Sequence, residues 1–164
     1  MSQARDIATS HLETMIERLT KMDKAIPDND GDYFLSTHHG GFFARIDGSE
    51  IPILRIFTII SKDIDRSLDL LTELNSINCR LTFPRVFWVR DQVLMESNAL
   101  ALDTTTVEFN AMCSEVADAS DAFGPKIVSE FGGTAFFEQS KEVDQDEGPT
   151  PPHTPTPPHT PGYI

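Results

Sequence analysis

His38-His39 is the one histidine pair outside the C-terminal tail, and Asp30 and Asp32 lie shortly before it. Histidines beside carboxylates are the donor set of a divalent metal site. Such a site needs further ligands at fixed geometry, and no spacing pattern joins these four residues. Neighbouring strand residues also point to opposite faces, which works against shared coordination. A solvated strand end is the simpler reading, and no metal is expected. The thiols Cys79 and Cys113 have no basic or histidine partner in sequence that would favour a thiolate. Cys113 falls on an apolar helix stripe and reads as a small core residue. Cys79 reads as the start of a strand. The two are far apart and form no CxxC motif, which excludes a disulfide framework and fits a reducing cytoplasm. Carboxylates are abundant, but no motif pairs them for acid–base work. There is no Walker-A loop, GxGxxG, GxSxG or HExxH. Gly40-Gly41 and Gly132-Gly133 are isolated doublets, which a turn and a helix cap explain. His11 fits a helix surface. Neither an enzyme nor a cofactor is expected.

The remaining chemistry-bearing motifs lie at the C-terminus. TPPHTP occurs twice in succession, at Thr150–Pro155 and Thr156–Pro161. Thr150, Thr154, Thr156 and Thr160 each precede a proline and suit proline-directed kinases. Two PxxP runs are also present, but an acidic stretch flanks them where Pro-rich ligands usually carry a basic anchor. A solubilising spacer, or a phosphorylated docking tail, would look like this.

Composition locates the boundary between body and tail. The chain has 164 residues, enough for one domain with a real core. All eleven Phe lie at or before Phe137, whereas seven of the eleven Pro lie between Pro149 and Pro161. A folded domain over residues 1–137 and a disordered tail over 138–164, acidic and then Pro/Thr-rich, are expected. The formal charge is −13. Such an excess repels phosphate backbones, so nucleic acid is not an expected partner, and it favours basic clients. No apolar run reaches the ~18–20 residues of a membrane span. The start, MSQARDIATSHLE, lacks the pattern of a signal peptide.

Periodicity gives the elements. Leu12, Met15, Ile16, Leu19, Met22 and Ile26 recur at helical steps, and Ser10 with Glu13 has capping-box spacing, so a helix is predicted over 10–25. Strands follow at Tyr33–Thr37, Phe42–Asp47 and Ile51–Ser61, joined by turns short enough for antiparallel hairpins. A second helix is predicted over 62–76, capped by Ser61, with Ile64, Leu68, Leu71 and Leu74 as its stripe. Strands Arg80–Val89 and Val93–Leu102 come next, and Pro84 inside the first suggests an edge or a bulge. A last helix runs from Thr106 to Phe131, with Thr105 and Glu108 as a capping box. Gly124-Pro125 should break or kink it, and Gly132-Gly133 should end it. The order α-βββ-α-ββ-α describes an α+β domain with an antiparallel five-stranded sheet and helices packed on it.

The strands are apolar on both faces in places. Phe42, Ala44 and Ile46 form the cleaner apolar face, with Leu54, Ile56 and Ile60. Phe43 and Arg45 then point outward, with Ile53, Arg55, Phe57 and Ile59. The parity of Arg80–Val89 is ambiguous, but Arg85 and Phe87 share one face. If that face is outward, three arginines and three phenylalanines occupy it. Such a surface suits peptide docking, or cover by a helix or a dimer partner.

The element order is similar to that of type III secretion chaperones and YbjN-like proteins. The stretch LLTELNSINCRLTFPRVFWVRDQVLMESNALALD (Leu70–Asp103) resembles the central segment of that family. There a helix ends in a Leu-Asn-x-x-Asn-like run before an aromatic strand, here Leu74, Asn75, Asn78 and Phe83. SEFGG (Ser129–Gly133) resembles the close of such domains, and the likeness spans residues 8–137. The resemblance implies a small cytosolic peptide-binding chaperone-like module, often a homodimer, that takes a client protein or peptide and has no cofactor. The Pro-rich tail is not part of the family pattern, and a regulatory adaptor working through that tail is the alternative.

Overall fold

A computed structural model describes residues 2–37 and 40–136. The elements are α1 (Gln3–Thr20), β1 (Tyr33–Ser36), β2 (Gly41–Asp47), β3 (Ile53–Lys62), α2 (Leu68–Asn78), β4 (Arg85–Val89), β5 (Gln92–Leu100), α3 (Thr106–Phe131) and β6 (Thr134–Ala135). The expected order is found, with a short sixth strand added. The sheet order is β1-β2-β3-β5-β4, with β6 beside β3, and every pair is antiparallel. The tail, with its four Thr-Pro sites, and His38-His39 lie outside the described residues. Among the described residues no helix is long and apolar enough to cross a membrane.

Two helix starts differ from expectation. α1 begins at Gln3 because the Ser2 hydroxyl accepts from the Arg5 backbone N–H. Ser10 is an interior residue whose carbonyl accepts from Thr14 Oγ1 at 2.9 Å. Leu12, Met15 and Ile16 are buried as expected, but Leu19, Met22 and Ile26 are exposed. Lys21 adopts a left-handed conformation, φ 57°, and ends the helix before Met22 and Ile26, leaving Leu19 in its last turn. α2 begins at Leu68 and is capped by Ser67, because β3 continues to Lys62. Its buried stripe is Leu70, Leu74 and Ile77; Leu68 and Leu71 are exposed. Ile64 remains in the core from an extended segment. Its N–H bonds to Asp91 O and its carbonyl accepts from Trp88 Nε1 at 2.8 Å.

Cys79 is the C-cap of α2 rather than a strand residue, and it is exposed. Pro84 stands directly before the edge strand β4, which needs no bulge to tolerate it. α3 runs unbroken through Pro125. The missing N–H costs a bond to the Asp121 carbonyl, and core packing of Val116, Ala119 and Ile127 on both sides holds the helix. The Thr105–Glu108 capping box forms in both directions. Gly132, φ 83°, caps the helix, and Gly133, φ 84°, turns the chain into β6.

The core has two clusters on one side of the sheet. Under β1–β3, α1 meets the first half of α3 around Leu12, Ile56 and Phe109. Under β4 and β5, α2 meets the second half around Leu74, Val93 and Ile127. Cys113 sits in the first cluster, where burial pushes its thiol up to about 12. That is the inert core residue the sequence implied.

Candidate functional site: the open face of the sheet

Paired residues in a ladder share a face, so the register sorts the sheet into sides. With the helices and both core clusters below, the opposite side carries a row across five strands: Phe34, Phe43, Phe57, Glu96 and Arg85. Beside it run Arg45, Arg55 and Asn98, and on the other flank Ile59, Leu94 and Phe87. Ile53 pairs with Leu100 on the same side. The fold thus places all eight predicted residues, Phe43, Arg45, Ile53, Arg55, Phe57, Ile59, Arg85 and Phe87, on one face. The ambiguous parity of β4 resolves outward for Arg85 and Phe87 because Val86 and Trp88 pack inward. No described helix covers this face.

The residues are not equally accessible. Phe57 stacks on Phe43, with centroids 5.4 Å apart and planes at 24°. The Arg45 and Arg55 guanidinium carbons lie 5.2 and 5.0 Å from the Phe57 ring centre. Cation–π contacts of this kind hold both arginines flat against the sheet. Phe57 is therefore only 9% exposed and forms the floor of the face. Phe34 is 52% exposed, and the Arg85 side chain 63%. Phe136 follows β6 onto the same face. Its ring lies edge-on to Phe43 at 6.1 Å, and Lys62 Nζ sits 4.3 Å from its centre.

The arginines are organised by acids. Arg45 pairs with Asp47 at 3.0 Å and with Asp32 at 3.4 Å. Burial pushes the Asp32 carboxyl up despite the opposing Arg45 charge. Glu96 is the central acceptor. It takes hydrogen bonds from Arg55 Nε at 2.7 Å, Arg85 Nη2 at 2.7 Å and Asn98 Nδ2 at 3.1 Å. Burial raises this carboxyl, but the Arg85 hydrogen bonds and the Arg55 charge outweigh it and hold it below the usual carboxylate range. Among the described residues, four cations (Arg45, Arg55, Arg85, Lys62) thus face three acids (Asp32, Asp47, Glu96). The face is slightly cationic on a strongly acidic chain.

The sheet also has a gap. β3 pairs with β2 up to Phe57 and with β6 from Ser61 onward. Between them a groove of about 580 Å³ opens, lined by Gly41, Ile59 and Ile60 on the sheet and by Asp121, Pro125 and Val128 on α3. Thr58 Oγ1 reaches across to Gly41 O at 3.0 Å. At the far edge, Asn78 closes part of β4: its Oδ1 accepts from Val86 N at 2.8 Å and its Nδ2 donates to Val86 O at 2.9 Å. Replacing Asn78 with alanine is expected to cost about 1–2 kcal/mol, two backbone groups losing their partner. Urea midpoints measure it, and an unchanged midpoint would mean that water replaces the amide without loss.

His11 Nε2 lies 2.9 Å from the Thr104 carbonyl and ties α1 to the loop before α3. Among the described residues no group of three His, Cys, Asp or Glu converges as a metal site. Sequence reasoning missed Glu96, Phe34, Lys62 and Leu94 on the open face. The available signal for Glu96 was a lone acid inside the apolar run VLMESNAL, facing the same way as Arg85 and Arg55.

Several solved structures share the fold. A chaperone–effector complex of HopA1 and SchA matches with a TM-score of 0.61 at 8% identity, covering 76% of this chain and 98% of that one. The ExsC–ExsE complex gives 0.56 at 14% identity, over 76% and 96%. The Yersinia pestis type III secretion chaperone SycH, bound to a fragment of YscM2, gives 0.53 at 15%, over 70% and 98%. No curated protein matches the chain. The model of one family, described as T3SS (YopN, CesT) and YbjN peptide-binding chaperone 1, matches residues 4–139, and the chain belongs to that family.

Proposed function

We propose that the chain holds an extended segment of a client protein across the open sheet face, as a non-enzymatic chaperone in the cytoplasm. The observation that carries the reading is the one-sided packing. All three described helices lie below the sheet, and the side above exposes aromatic and guanidinium groups, the residue types enriched where proteins bind. Phe34, Phe87 and Leu94 offer apolar contact, Arg85 offers a flexible cation, and the groove at Gly41 can take an anchoring side chain. The β1 edge can add a client strand by backbone pairing, whereas Asn78 already occupies part of the β4 edge. A homodimer belongs to the same reading, and sedimentation should then give twice the 18.3 kDa chain mass.

The test is fluorescence anisotropy with labelled segments of proteins encoded beside this one. A double substitution, Phe34→Ser with Phe87→Ser, is expected to weaken binding about tenfold, or ~1.4 kcal/mol. Val107→Ser, at an exposed position on α3 remote from the face, should leave it unchanged. Failure of every segment to bind, or equal loss with Val107→Ser, would defeat the proposal. The adaptor alternative predicts instead that deleting residues 138–164 abolishes partner binding while the double substitution is silent.

A further inference from the structure

We propose that residues 138–147 of this chain fold back over the open face and occupy it as an intramolecular stand-in for a client. The proposal rests on the reading of that face as a docking surface and names its resident occupant. Three observations converge on it. First, the described chain ends on the face itself: Phe136 packs against Phe43 beneath Lys62, so the next residues leave from within the site. Second, the charges match. Residues 138–147 read EQSKEVDQDE, five acids and one lysine, beside the slightly cationic patch of Arg45, Arg55, Arg85 and Lys62. Third, four of the five acids are spaced for an extended strand. Phe136, Glu138, Glu142, Asp144 and Asp146 are all at even positions, and alternate residues of a strand share one side. An extended segment laid over the face could therefore turn these four carboxylates together toward the arginines.

Reach is not limiting. About ten extended residues span ~33 Å, whereas Arg85 on β4 is three strand spacings from β6, or ~14 Å across the sheet. Arg85 is the open end of the Glu96 network, its side chain 63% exposed, and can exchange water for a tail carboxylate without breaking its bond to Glu96. The Arg45 and Arg55 guanidiniums lie against the Phe57 ring on the same face. Such a tail competes with a client by mass action at high effective concentration, so a client must outbid it to bind.

The test uses the full chain with no client present. A nitroxide is attached at Gln145→Cys in a Cys79→Ser background, which removes the exposed native thiol and leaves the buried Cys113. The amide signals of Arg85, Phe87 and Glu96 are expected to lose about half their intensity or more, and to recover in ~1 M salt, where the screening length falls to ~3 Å. They should also recover when Glu138→Gln, Glu142→Gln, Asp144→Asn and Asp146→Asn are combined. The amide of Leu19 at the end of α1 should be unaffected throughout. Broadening on β4 and β5 no greater than at Leu19, or broadening that persists after neutralisation, overturns the proposal. Because no client is used, the outcome is independent of the binding assay. A docked tail with no client binding even in the neutralised variant would defeat the chaperone reading alone, and client binding with an undocked tail would defeat this inference alone.

Discussion

Gly133→Ala is expected to remove about 3–5 kcal/mol of stability, among the largest single-residue effects available to this fold. Two costs combine at that position. The backbone sits at φ 84°, a region that a Cβ disfavours. A methyl group there would also lie 2.6 Å from the Lys62 carbonyl oxygen and 3.0 Å from the Ile64 Cβ, and closer still to Ser61 Oγ. None of these can retreat easily. Lys62 pairs within the sheet, Ile64 is in the core, and Ser61 Oγ is bonded to the Gly132 carbonyl. Gly132 supplies the control. Its φ is nearly the same, 83°, but a methyl group on its Cα would have no described neighbour within 4 Å. Gly132→Ala should therefore cost only the backbone part, about 1–3 kcal/mol. Urea denaturation of the two variants side by side separates strain from collision. Equal losses would show that β6 moves aside freely and that its docking on β3 contributes little.

Glu96→Ala is the second large effect, about 2–3 kcal/mol. The carboxyl is 5% exposed although no described helix covers it, because the side chains it binds also shield it. Removing it leaves the Arg55 guanidinium, itself only 22% exposed at the side chain, without its main acceptor. Breaking a fully buried pair from one side costs ~3–5 kcal/mol. The lower figure reflects Arg85, which is open enough to rehydrate. The pH dependence has a definite sign. The Glu96 carboxyl is held below its usual value in the folded chain, so its contribution is complete above the unfolded value near pH ~4.3 and fades as pH falls through the lower folded value. The gap in urea midpoint between wild type and Glu96→Gln should be widest near neutrality and close in acid. A gap independent of pH would mean that the carboxylate charge is not what holds the arginines.

How much of this was legible in the sequence depended on how local each signal was. The open face could be read on β2 and β3 because the alternation there is clean: Phe42, Ala44 and Ile46 against Phe43 and Arg45. On β4 it could not, since Arg80–Val89 reads as one strand, whereas pairing begins only after Pro84. Capping boxes were reliable where the spacing and the core agreed, as at Thr105, and misleading at Ser10, where burial of Ala8 carries the helix further back. The Glu96 network was invisible because its partners come from neighbouring strands and depend on register. β6 is two residues long and leaves no periodic trace. Accessibility was the subtlest loss. Phe57 has the right parity for a docking residue, yet two guanidinium groups lie over it.

The shared use of α3 has a consequence for folding. One helix supplies Phe109 and Val116 to the first cluster and Ala119 and Ile127 to the second, so neither half of the interior can melt while the other keeps its full complement of neighbours. A protein built to display apolar and aromatic surface risks sticking to its own kind whenever part of it opens. Tying both halves to a single rod makes disassembly nearly all-or-none and keeps half-melted, adhesive forms rare.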